Sequence, residues 1–229
     1  QETIHAVAYS YLNETLGLED YEAFLHEPAT AQRFDNLVAY DGNDPVGIGK
    51  SLAVFSAFAE GVSLYSAFAV LYSFQLRNLL KGIGQQMKWS VRDESLHSKM
   101  GCQLFRHMCS QIPGLKEECE PHIFEAALTM HNAEMTYINK IFEMGDIENL
   151  KKYDLTHFIK KRLGDKLAEL GYTSKKYKQW DFTFYDPKCI ENMSWFDHLT
   201  GGHTHTDFFA VRPTDYSKAN EGEDFEDIW

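Results

Sequence analysis

Ser51–Phe74 reads SLAVFSAFAEGVSLYSAFAVLYSF, and its single charged residue is Glu60. The run is apolar or small all round, which is the pattern of a helix buried at the centre of a bundle. Its length also suits a membrane span. Against that reading stand Glu60 near the middle, several serines and the lack of a flanking basic cluster. A carboxylate in such a helix must be paired, protonated or coordinated, because burying a bare charge is costly. A hydrogen bond to a tyrosine hydroxyl or a backbone group is the plain alternative to coordination.

Outward from this helix, Glu2-Thr3-Ile4-His5 lies upstream and Glu94-Ser95-Leu96-His97 downstream. Each unit sets a carboxylate and an imidazole about one helical turn apart on one face. Two Glu-x-x-His units, with single carboxylates from other helices, form the inward-facing cage of a two-metal bundle. Hard, oxidisable cations ask for several anionic oxygens, some shared, and for imidazoles that leave positions open to dioxygen. One Glu-x-x-His alone means little. His122-Ile123-Phe124-Glu125 and His131-Asn132-Ala133-Glu134 carry the same residues in reverse order on an amphipathic stretch, and read as surface or packing residues. Tyr9 stands four positions after His5, one turn further along the same face. A tyrosine beside an oxidising metal pair can become a radical; ordinary core packing is its alternative.

Periodicity predicts an all-α fold. A first helix runs to about Leu16 with Gly17 as its stop, and shorter helical stretches lie near Leu18 to Leu25 and Ala29 to Ala39. Asp41-Gly42-Asn43-Asp44-Pro45 reads as a turn. The central helix covers about Lys50 to Lys81, the next about Gln85 to Ser110, and others about Pro121 to Glu143 and Leu155 to Leu170, the last closed by Gly171. Nothing supports a sheet of any size. Residues 1–206 read as one bundle domain, and 207–229 as a flexible acidic tail.

With 229 residues the chain can bury a sizeable core. A formal net charge of −12 argues against a nucleic-acid surface, which needs clustered Lys and Arg. Cys102, Cys109, Cys119 and Cys189 show no CxxC spacing and read as reduced thiols of a cytoplasmic protein. No signal peptide opens the sequence, and Gln1 begins almost on a motif, as in a fragment.

Taken together, Glu2-Thr3-Ile4-His5-Ala6-Val7-Ala8-Tyr9, Glu60 in its apolar helix, and Arg92-Asp93-Glu94-Ser95-Leu96-His97 resemble the small, radical-generating subunit of class I ribonucleotide reductase. Thr206-Asp207-Phe208-Phe209 and Thr214-Asp215-Tyr216-Ser217-Lys218 are similar to that family as well. The resemblance implies a ferritin-like helical bundle with a buried di-metal carboxylate site. It implies Glu2, His5, Glu60, Glu94 and His97 as metal ligands for two iron ions, with manganese as the other candidate. Tyr9 would store the radical. Asp93 would bond a metal-bound histidine on the radical-transfer route, a role suited to fixing an imidazole tautomer, and Tyr216 would relay the radical onward.

The same resemblance implies a homodimer whose C-terminus docks on a large catalytic subunit that reduces ribonucleotides to deoxyribonucleotides. Glu221, Glu223, Asp224, Glu226 and Asp227 around Phe225, followed by Ile228 and Trp229, suit a peptide that orders in a groove. A further carboxylate ligand and the tryptophan that starts the radical route would both precede Gln1, on upstream sequence or on another chain. Leu64 and Phe68 would wall the radical pocket, while Ser90 is more polar than the aliphatic residue expected there. A ferritin-like di-iron oxidase or oxygenase, and a ferritin-type iron-storage protein, are the competing expectations.

Overall fold

The computed structural model describes residues 2–17, 28, 44–173 and 175–200; of Glu2 it describes the backbone alone. The first helix, α1 (Glu2–Thr15), ends where Gly17 turns left-handed at φ +66°, a conformation glycine adopts without a Cβ penalty.

Asp44 caps α2 (Pro45–Val54), its carboxylate accepting from the amides of Val46 at 2.8 Å and Gly47 at 2.9 Å, with Pro45 in the first turn. The predicted central helix therefore starts earlier than Lys50, because the turn residues Asp44 and Pro45 form its cap. It is also not uniform. After α2 the chain winds as a π-helix over Phe55–Ser63, returns to α-helix in α3 (Tyr65–Ser73), and tightens to a 3-10 turn at Phe74–Arg77. Asn78, at φ +62°, ends it. By length and composition Pro45–Arg77 could cross a membrane, but 67% of its most apolar window is buried inside the molecule, as in a central core helix.

Next come α4 (Lys81–Gln111), α5 (Leu115–Ile141) and α6 (Lys152–Glu169). The helix α5 begins six residues before the predicted start and carries Pro121 inside it. A hairpin of β1 (Lys176–Tyr177) and β2 (Trp180–Asp181), then α7 (Pro187–Asn192) and α8 (Ser194–Thr200), complete the described chain. Phe58, Tyr65, Met87, Phe105, Phe124, Phe158 and Phe196 fill the core. Close packing of α4 on the π-helical segment depends on Gly101, where a Cβ would collide with the Ser56 side chain.

Candidate metal centre

The wide turn of the π-helix carries Glu60, and α4 carries Glu94 and His97. One donor atom from each of these three lies within 4.8 Å of the others. Glu94 is buried and its two companions half-buried. From α1, His5 enters the same group. Its Nδ1 stands 3.3 Å from Glu94 Oε1, while His97 Nδ1 stands 3.3 Å from Glu94 Oε2. Each oxygen of the Glu94 carboxylate thus faces an imidazole, one from α1 and one from α4. The other nitrogen of His5, Nε2, is 3.1 Å from Asp93 Oδ2. A proton on Nε2, donated to Asp93, leaves the Nδ1 lone pair directed at the centre. Carboxylate oxygens and imidazoles converging in this way fit a divalent metal ion.

One turn along both helices, the pairing repeats. The Tyr9 hydroxyl lies 2.7 Å from Ser90 Oγ, with Ser90 fully buried and Tyr9 half-buried. The unexpected polarity of Ser90 therefore has a partner: it contacts the phenol singled out in the sequence. Of the two residues expected to wall that pocket, Phe68 is buried but Leu64 is 38% exposed.

His5, Glu60, Asp93, Glu94 and His97 are thus brought together, with Tyr9 one turn away. The side chain of Glu2, and Tyr216 with the rest of the tail, lie outside the described residues. The reversed pairs stay apart from this group. His131 and Glu134 are packing residues: Glu134 accepts a hydrogen bond from the Ser66 hydroxyl at 2.5 Å, and His131 stacks edge-on against Trp180. Burial lowers His131 to about 4, holding it neutral. The four cysteines are free, and burial pushes Cys102 up to about 12 and Cys119 up to about 11, which keeps both as inert thiols.

A layer beneath these side chains gave no sign in the sequence. Tyr65, fully buried, bonds Ser95 Oγ at 2.7 Å, and Ser95 follows Glu94. Burial raises the Tyr65 phenol above its ordinary range and keeps it protonated. Arg162 of α6, only 5% exposed, donates from Nε and Nη2 to the Gly61 carbonyl at 3.0 and 2.7 Å. In the sequence Arg162 sits within Lys160-Lys161-Arg162, which reads as a solvated charge run and gives no sign of burial.

A bundle of long helices with an inward-facing set of carboxylates and imidazoles defines a ferritin-like di-metal protein class. The family model for ribonucleotide reductase, small chain, matches residues 1–179, and this chain belongs to that family. A protein of Invertebrate iridescent virus 3, described as a probable ribonucleoside-diphosphate reductase small subunit, is 30% identical over 96% of this chain. The chain spans 61% of that relative's length. The ribonucleoside-diphosphate reductase subunit beta of Chlamydia pneumoniae is 31% identical over 56% of this chain and 39% of its own. A Bacillus halodurans chain described as a class I ribonucleotide reductase superposes with a TM-score of 0.71 at 20% identity, covering 86% of this chain and 71% of that one, a likeness of fold.

Proposed function

We propose that this chain forms the radical-generating bundle of a class I ribonucleotide reductase small subunit. Glu2, His5, Glu60, Glu94 and His97 would hold two metal ions, iron in the first instance and manganese as the alternative. The metal pair, when bound, supplies the oxidant for a nearby side chain. Glu94, His5 and His97 would be among the residues that hold the ions, and Asp93 would hold the His5 ring and tautomer. Tyr9 is the side chain that stores the oxidising equivalent, in a site walled by helices and closed on one side by Ser90. Asp93 and Tyr216 carry that equivalent onward. The partner is a large catalytic subunit docked on the acidic tail 207–229. The assembly is a cytoplasmic homodimer in which ribonucleotides are reduced to deoxyribonucleotides.

One observation carries this reading: a single buried carboxylate faces two imidazoles from separate helices, with Glu60 in reach of the same point. The test is metal stoichiometry in the full-length protein. Two iron or manganese ions per chain are expected. Glu94→Ala should lose them both, whereas His122→Ala, in one of the reversed pairs, should bind as wild type. Equal binding by both variants would refute the ligand assignment.

A further inference from the structure

The guanidinium of Arg162 is buried, yet among the described residues no carboxylate pairs with it. Its two donors converge on the carbonyl of Gly61, the residue after Glu60. Its face lies 3.4 Å from the centre of the Tyr65 ring, and Phe158 approaches from further off at 5.9 Å. Burying a cation against a carbonyl and aromatic rings is costly relative to an apolar side chain of similar size. Core packing alone gives no reason to keep an arginine there.

Its contacts supply one. On one side Arg162 grips the wide turn that presents Glu60. On the other it supports Tyr65, whose hydroxyl bonds Ser95 beside Glu94. One side chain from α6 therefore touches the neighbour of Glu60 directly and reaches the neighbour of Glu94 through Tyr65. The π-helical winding makes the grip useful. A π turn is a locally unfavourable register, and here two of its carbonyls receive side-chain donors. Ala59 accepts from the Ser63 hydroxyl at 2.6 Å, and Gly61 accepts from Arg162. Gly61 lets Ser98 and Lys166 pack closely on the same turn, since a Cβ there would sit 2.6 Å from Ser98 Oγ and 2.9 Å from the Lys166 stem.

We propose that Arg162 is a positioning residue for the metal centre, holding the π-helical turn and Tyr65 so that Glu60 and Glu94 meet. This rests on the two-metal reading above. It separates two quantities that a merely structural role would move together. Arg162→Met keeps the volume and removes the buried charge but leaves the Gly61 carbonyl unpaired, so the two effects on fold stability should largely offset each other. Metal affinity should fall at least about tenfold, as is usual when the support of a ligand is removed.

The experiment is a manganese(II) titration of the full-length protein followed by electron paramagnetic resonance, with hydrogen exchange of the metal-free protein in parallel. Wild type should bind two ions with a spin-coupled signal. Arg162→Met should weaken the coupled pair and speed amide exchange across Phe55–Ser63 without changing exchange in α5. Arg162→Lys, with one donor group in place of a fork, should fall between the two, and it carries the test if the Met variant does not fold. Lys166→Met removes a neighbouring buried cation from the same helix and should leave the coupled pair intact. Wild-type affinity and exchange in both Arg162 variants would overturn the proposal. A wild-type protein that binds no coupled pair would instead contradict the two-metal reading, and the exchange data would then decide whether Arg162 holds the turn.

Discussion

Glu94 shows how much one side chain can be asked to do: it is buried, it lies between two imidazoles, and its neighbours Asp93 and Ser95 bond His5 and Tyr65. The sequence exposed the charged members of this group because Glu and His at helical spacing are conspicuous beside an apolar helix. It did not expose their supports, since a serine, a tyrosine or an arginine has the same letter whether buried or solvated. His131 gives a prediction at this scale. Burial holds it at about 4 against an ordinary 6.5, so between those values the unfolded chain takes up a proton that the folded one refuses. Stability should therefore be complete above about pH 6.5 and fall as pH drops toward 4, by roughly 2–3 kcal/mol between about pH 7 and pH 4.5. Urea denaturation at the two pH values should show this loss in wild type and much less of it in His131→Phe, which keeps the ring contact with Trp180. An equal loss in the variant would assign the pH dependence to other groups.

At the scale of elements, the existence and order of the long helices were legible, because apolar periodicity and glycine stops mark them well. Their internal registers were not. Nothing in Phe55–Ser63 announces a π-helix, since the wide turn is stabilised by donors on Ser63 and on the distant Arg162. The start of α5 was misplaced for a related reason. Pro121 reads as a helix start, but α5 begins at Leu115 after Gly114 at φ +83° and runs through the proline. Gly61 and Gly82 make a paired prediction. Gly61→Ala must displace Ser98 or Lys166 and should cost about 1–3 kcal/mol through overpacking. Gly82 is in open space on α4, so Gly82→Ala should be neutral or stabilise by up to about 1 kcal/mol through helix propensity. Thermal or urea denaturation decides the matter, and equal effects at the two sites would contradict the close packing of α6 on the π-helical turn.

For the whole molecule, family membership rests on a match to residues 1–179. The bundle brings together His5 on α1, Glu60 on the π-helix, and Glu94 and His97 on α4, residues separated by up to 92 positions, counting from 5 to 97. No local pattern specifies that convergence; the packing of α4 against the π-helix and α1 does. In the proposed function this convergence would serve to oxidise Tyr9. The most direct test is electron paramagnetic resonance on full-length protein loaded with iron and exposed to oxygen. A tyrosyl signal that vanishes in Tyr9→Phe, while that variant keeps its two metal ions, is the predicted result. A tyrosyl signal that survives Tyr9→Phe, or a metal-loaded wild-type protein that yields no radical at all, would contradict it.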